Sequence, residues 1–269
     1  MTMMAIIARV LLYSGAVIAI GDVVAQWARG GGWHSRGEAD LRPRALVAWL
    51  LILVALLLLF GAQFVALELA PTATDVAMLI RQTAWGNGWL MLAASAFVGV
   101  IAAITRAALV VRAILVSIFA LSMGGLGHAA ADELAPMLSR ALDLLHVLGI
   151  GAWIGGLLCL GRTVSADSWA AFSRIATIAA PVTVFTGVGS AFRRVGVATV
   201  PEILASDYGR LLGAKTALVV VILCIGAWHR RAVTKRGTPS PTSVRIELLL
   251  ACAVLVVTAV LTGTAPPGE

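Results

Sequence analysis

Charge and sulfur chemistry are both scarce in this chain. Only 12% of its 269 residues are charged, against 60% that are hydrophobic, a balance that a water-soluble domain does not sustain. Its three cysteines form no CxxC pair, so neither a disulfide scaffold nor a dithiol redox motif is indicated. There is no phosphate-cradling loop, no HExxH helix and no serine elbow, which leaves a nucleotide-driven pump or an ordinary hydrolase unsupported. No enzymatic activity is expected, and any transport must draw on an existing gradient or a partner. No inter-helix stretch is long enough for a soluble domain, the longest being 26–44, 71–83 and 190–210. The chain is therefore read as a single integral membrane domain, 1–269.

What the chain does have is apolar runs. A helix needs roughly 20 apolar residues to cross about 30 Å of hydrocarbon, and eight runs of about that length stand between polar breaks. They lie near 5–25, 45–69, 85–105, 108–127, 141–161, 169–189, 211–229 and 243–262. Unpaired backbone groups in hydrocarbon each cost several kcal/mol, and the alternation of a barrel strand is absent, so the runs must be helical. The expected fold is all-α, a polytopic bundle of about eight transmembrane helices in contact with membrane lipid. The first run ends in Trp27 and Arg29 without a cleavage site, and is read as a retained span rather than a signal peptide.

The formal net charge is +7, but the basic residues sit in loops and helix ends, which speaks for membrane orientation and against nucleic acid as a partner. With alternating sides, 13 Lys and Arg fall with the loops after spans 1, 3, 5 and 7, and 7 with the other side. The positive-inside rule then puts the larger group in the cytoplasm and both termini outside.

Two internal echoes share a spacing of four spans. Arg9-Val10-Leu11-Leu12-Tyr13 resembles Asp143-Leu144-Leu145-His146-Val147, and Thr83-Ala84-Trp85-Gly86 resembles Ser206-Asp207-Tyr208-Gly209. If real, they imply a four-plus-four parallel repeat, with a substrate site where the halves meet. Gly151-Ala152-Trp153-Ile154-Gly155 is a small-xxx-small face suited to close helix packing.

Ionisable residues within spans are costly and are functional hypotheses by default. His146 lies about one and a half turns into span 5. Asp143, three residues earlier on the same face, is placed to orient its ring. His128 ends span 4, just above Met123, and is followed by Asp132, Glu133 and Met137. Imidazole with thioether suits copper. On the expected topology Met91, Met123, Met137 and the other methionines fall in the outer half, whereas Cys159 and Cys224 fall toward the inner half, as a relay for reduced copper would place them. The alternative is that the methionines are apolar filler and the histidines bond across helices. His34 and His229, beside Trp and Arg residues on the inner side, read as interfacial. Asp22 and Glu68, near helix ends, are expected to meet Arg residues or headgroups.

The chain resembles the copper resistance protein D family of bacterial inner-membrane proteins. The resemblance rests on Gly127-His128-Ala129-Ala130-Ala131, on Leu145-His146-Val147-Leu148 leading into Ala152-Trp153-Ile154-Gly155-Gly156-Leu157, and on Tyr208-Gly209-Arg210-Leu211-Leu212 with Lys215. It continues in Trp228-His229-Arg230-Arg231 and in the run Leu261-Thr262-Gly263-Thr264-Ala265-Pro266-Pro267. It is clearest over 141–269. It implies eight helices, copper uptake, a small periplasmic copper-binding protein as partner, and His128 and His146 as the matching histidines. Many relatives carry a histidine where this chain has Leu12, so the ligand set here must differ, with a methionine as one substitute.

The leading expectation is a copper importer or permease. His128 and His146 capture the ion, Met123, Met91 and Met137 serve as soft auxiliary ligands, Asp143, Asp132 and Glu133 stand behind them, and Cys159 and Cys224 form an inner relay. Copper is the transported ion or ligand. The competing readings are a haem b protein ligated by two histidines and an assembly partner for copper enzymes that transports nothing itself.

Overall fold

The computed structural model describes residues 2–30, 42–70, 72–126, 136–160, 165–196, 198–236 and 238–267, apart from the side chains of Arg42 and Arg236. His128, Asp132, Glu133 and His34 lie outside the described residues.

The apolar runs fold as helices, and Thr2, Thr83, Ser165 and Ser206 open four of them as hydroxyl caps. Thr2 accepts from the Ala5 N–H at 3.3 Å, ahead of α1 (Met3–Ala28). The next elements are α2 (Arg42–Ala66), α3 (Ala73–Gln82), α4 (Ala84–Ile104), α5 (Leu109–Met123) and α6 (Pro136–Ile150). A π-helical turn, Gly151–Gly155, leads into α7 (Gly156–Leu160), followed by α8 (Ala166–Val195), α9 (Val200–Ala205), α10 (Asp207–Arg236) and α11 (Pro241–Leu261).

Among the described residues seven helices are long and apolar enough to cross a membrane, counting α6 through α7 as one, Pro136–Leu160. The eighth expected span is α5, which has 15 residues and covers about 22 Å at 1.5 Å per residue. It packs on α1, α4 and α6. This is a multi-pass helical membrane protein.

Two short helices outside the spans, α3 and α9, each run into a crossing helix through the same turn. Thr83 Oγ1 accepts from the Gly86 N–H at 2.9 Å and donates to the Leu79 carbonyl at 2.6 Å. Ser206 Oγ accepts from the Gly209 N–H at 3.0 Å and donates to the Ile203 carbonyl at 2.7 Å. A Cβ at Gly86 or Gly209 would run into those same carbonyls, so both turns require glycine. In α9 the Thr199 N–H donates to the Glu202 carboxylate at 2.7 Å, and that bond holds the Glu202 carboxyl below its ordinary range.

The first echo also extends into packing. Gly149 follows Gly15 by 134 residues, and Gly155 follows Gly21 by the same 134. Gly15 seats α1 against Ala48 and Ile52 of α2, while Gly149 seats α6 against Ala179 and Thr183 of α8. Gly21 and Gly155 then meet each other, backbone to backbone, where α1 crosses the π turn. Matching contacts in both halves support the four-plus-four parallel repeat, with α1 and α6–α7 as the paired central helices.

Tyr13, near the start of α1, donates to Thr262 at the end of α11 at 3.1 Å. That end of the bundle is called upper here. It also gathers the start of α4, α6 and α10 and the end of α2, α5 and α8 around one cavity, so successive long helices alternate in direction across eight passes.

Candidate functional site

The upper cavity encloses about 670 Å³ between the two halves. Its floor is the apolar core, with Trp153, Ile154, Ile222 and Val254 beneath it. His146 stands in its wall. The ring Nδ1 lies 2.9 Å from the Thr183 carbonyl and 3.3 Å from the Thr186 hydroxyl. A carbonyl only accepts, so Nδ1 carries the proton, and in the neutral ring Nε2 keeps its lone pair. A backbone carbonyl fixing the far nitrogen is the usual support of a metal-binding imidazole. Gly187 makes room for this ring, since a Cβ there would stand 3.0 Å from its Cε1.

The orienting partner expected from the sequence was Asp143. The structure gives that place to Thr183, while Asp143 accepts from Ser190 at 3.4 Å. A backbone acceptor 37 residues away along the chain leaves no mark in a sequence pattern, whereas an acid at i−3 does.

Met123 lines the cavity with His146. Met91 and Met137 do not line it, and are 61% and 87% exposed. Among the described residues no three His, Cys, Asp or Glu side chains are grouped closely enough to hold a metal ion.

Lys215, Arg194 and Tyr208 also line the cavity, although the sequence reading gave them no role at the site. Arg194 donates to the Tyr208 hydroxyl. Lys215 was the findable one, being a charge well inside an apolar run.

Residues 167–261 match the family model described as copper resistance protein D. The resemblance to the copper resistance protein D family holds. The copper transport protein CutJ of Bacillus subtilis (strain 168) is 28% identical over 155 residues, 53% of this chain and 28% of that protein. Copper resistance protein D of Pseudomonas syringae pv. tomato is 26% identical over 215 residues, 71% of this chain and 67% of that protein. The chain thus spans little more than a quarter of the first relative's length. No solved structure matches it.

The part matched by the copper resistance protein D model begins in α8 and runs to the end of α11. It supplies Thr183, Arg194, Tyr208 and Lys215 to the upper cavity, and it holds a second polar cluster at the lower end. There the sequence reading needs correction. His229 is buried, not interfacial. Its Nδ1 lies 2.6 Å from a Glu247 carboxylate oxygen and its Nε2 2.6 Å from Ser243 Oγ, both on α11. Nε2 is hydrogen-bonded to Ser243, while the Glu247 oxygen lies at ion-pair distance from Nδ1 without the geometry of a hydrogen bond. Burial of an imidazole in a bundle needs such partners, and nothing near His229 in sequence announces Glu247. The pair lines a lower cavity of about 600 Å³.

The other lower cluster joins α1, α2, α5 and α7. Arg112 pairs with Asp22, as the sequence suggested for that acid, and also donates to Gln26 Oε1 at 2.9 Å. Arg29 and Arg44 donate to the Leu160 and Cys159 carbonyls, each at 2.6 Å, and so cap the end of α7. Cys159 is buried there, its Sγ 3.6 Å from the Ile18 carbonyl, while Cys224 is exposed on α10.

Proposed function

We propose that this chain is a bacterial inner-membrane copper permease, moving copper from the periplasm toward the cytoplasm through the upper cavity. One observation carries the reading. His146 is the imidazole of that cavity, its proton held on the Thr183 carbonyl and its Nε2 lone pair left for a metal.

In this reading the upper end faces the periplasm, consistent with the excess of basic residues assigned to the opposite side. Met123 is the soft neighbour, and His128 is proposed as the second imidazole with Asp132 and Glu133 behind it. Met91 and Met137, lying outside the cavity, are proposed as transient contacts on approach. Asp143 holds Ser190 rather than the ring. Several weak sites suit passage better than one tight cage, which would trap the ion. Cys159 and Cys224 are the proposed receivers below. A small periplasmic copper-binding protein is the proposed donor, as the family relationship suggests, and the role proposed is transport rather than catalysis.

His146→Ala is expected to reduce copper bound by the purified protein, and copper accumulated by cells, at least tenfold while the protein still inserts. His146→Gln, which keeps an amide donor for Thr183, is expected to lose copper equally. Undiminished binding and uptake in both variants would sink the reading, and a Soret band in the purified wild type would replace it with haem ligation.

A further inference from the structure

We propose that the upper cavity takes copper together with a small carboxylate anion, the anion held by Arg194 and Lys215 beside His146. This rests on the cavity being copper's entry, and it names the form in which the metal arrives.

Charge is the first argument. On the wall that carries His146, Arg194 and Lys215 stand near enough to act on each other and on the ring, with Asp143 the described acid within reach of Lys215. A bare copper dication approaching His146 past these two cations is repelled, and the repulsion grows as the local dielectric falls. A cupric carboxylate complex with excess negative charge is attracted instead.

Size is the second. About 670 Å³ lies within the roughly 300–1,000 Å³ typical of pockets for small organic ligands. A naked ion needs only its coordination shell.

The distribution of polarity is the third. Gly209 follows Gly86 by 123 residues, and by the same 123 Lys215 answers to Leu92; by the 134-residue spacing His146 answers to Leu12. All four line the cavity. One half therefore presents an imidazole and an ammonium where the other presents two leucines. A guest with an anionic head and a metal fits the polar wall. Arg194 offers a planar fork suited to carboxylate, with the Tyr208 hydroxyl as its fixed neighbour. Lys215 adds a point charge, with the Asp143 carboxylate and the Arg194 guanidinium both within electrostatic reach.

The test uses the full chain in nanodiscs of zwitterionic lipid, which excludes anionic headgroups as the source of the charge. Equilibrium dialysis compares cupric chloride, citrate, and the two together. Citrate binds copper in solution, so the comparison is made at equal free cupric ion, where an ordinary cation site holds the same metal with or without it. The expected result is instead at least a tenfold gain in copper bound when citrate is present. The pair Arg194→Gln and Lys215→Met is expected to abolish that gain and to tighten binding of copper supplied without citrate. Lys215→Arg, which keeps the charge, is expected to retain most of it, and the copper that the double variant still binds without citrate shows that it has not merely misfolded. His146→Ala separates the two readings, because it is expected to lose copper and still bind citrate alone. Copper binding that citrate leaves unchanged or lowers in the wild type at equal free cupric ion, or a gain that survives the double variant, overturns the proposal.

Discussion

Gly155→Val is expected to unfold the bundle far more easily than any substitution on its lipid-facing surface. A side chain at Gly155 would enter the Val17 carbonyl and press on Gly21, and a side chain at Gly21 would enter the Gly155 backbone. Neither obstacle is a flexible side-chain tip. Both are helix backbone, held by the central packing of α1 on the π turn and α7. Overpacking costs about 1–3 kcal/mol and occasionally more where nothing can move aside, and valine at this crossing belongs at or above the upper end of that range. Reaction of the buried Cys159 with a thiol-specific dye on heating, in a Cys224→Ser and Cys252→Ser background, reads the loss directly. Gly213→Ala is the control, since nothing lies within 4 Å of a Cβ there. If the two variants react with Cys159 at the same temperature, the crossing is not as tight as described.

Arg112→Met is expected to cost about 3–5 kcal/mol, the range for breaking a buried ion pair from one side. Asp22 is 1% exposed. Without Arg112 it keeps only the Gln26 amide, which donates to Oδ2 at 3.0 Å, while Oδ1 has no hydrogen-bond partner among the described residues. The stranded carboxylate, rather than the lost arginine packing, dominates the effect. Adding Asp22→Asn to Arg112→Met should therefore recover at least half of the stability in the same dye assay. A double variant as unstable as the sum of its singles would show that the two residues act independently and that the pair does not matter.

Much of this architecture is written in the sequence because lipid imposes so few solutions. Apolar length alone located the crossings, and the break at Pro136 and the caps at Thr2 and Thr83 sharpen their starts. The small residues of Gly151–Gly155 pointed to close packing, and they lie against α1. The 134-residue echo was visible in Leu12 and His146, and the glycine contacts extend it. The short length of α5 was not legible, because the apolar run continues past the end of the helix.

The site was only half legible. His146 was found because a titratable residue inside an apolar run is conspicuous. Its carbonyl partner was not, since backbone acceptors have no residue signature. Met91 and Met137 carry soft sulfur but point away from the cavity, and methionine's ordinary use as apolar surface hides which of the two roles applies. His229 was misread because Trp228 and two arginines gave it the look of a headgroup-level residue. Its burial depends on Glu247, a turn and a half into the next helix. Lys215 and Arg194 were assigned to motif and charge count alone, although one sits well inside a span.

The π turn sets the phase of everything below it. One residue advances an α-helix by about 100° and 1.5 Å, and a π turn accommodates such an extra residue without breaking the helix. The half of this span that carries His146 and the half that ends at Cys159 and Leu160 are thus keyed to different faces. Removing one residue from Gly151–Gly155 would leave a continuous helix with its lower face turned by about a quarter. His146 would stay beside Thr183, while the carbonyls that Arg29 and Arg44 now hold would swing out of their reach.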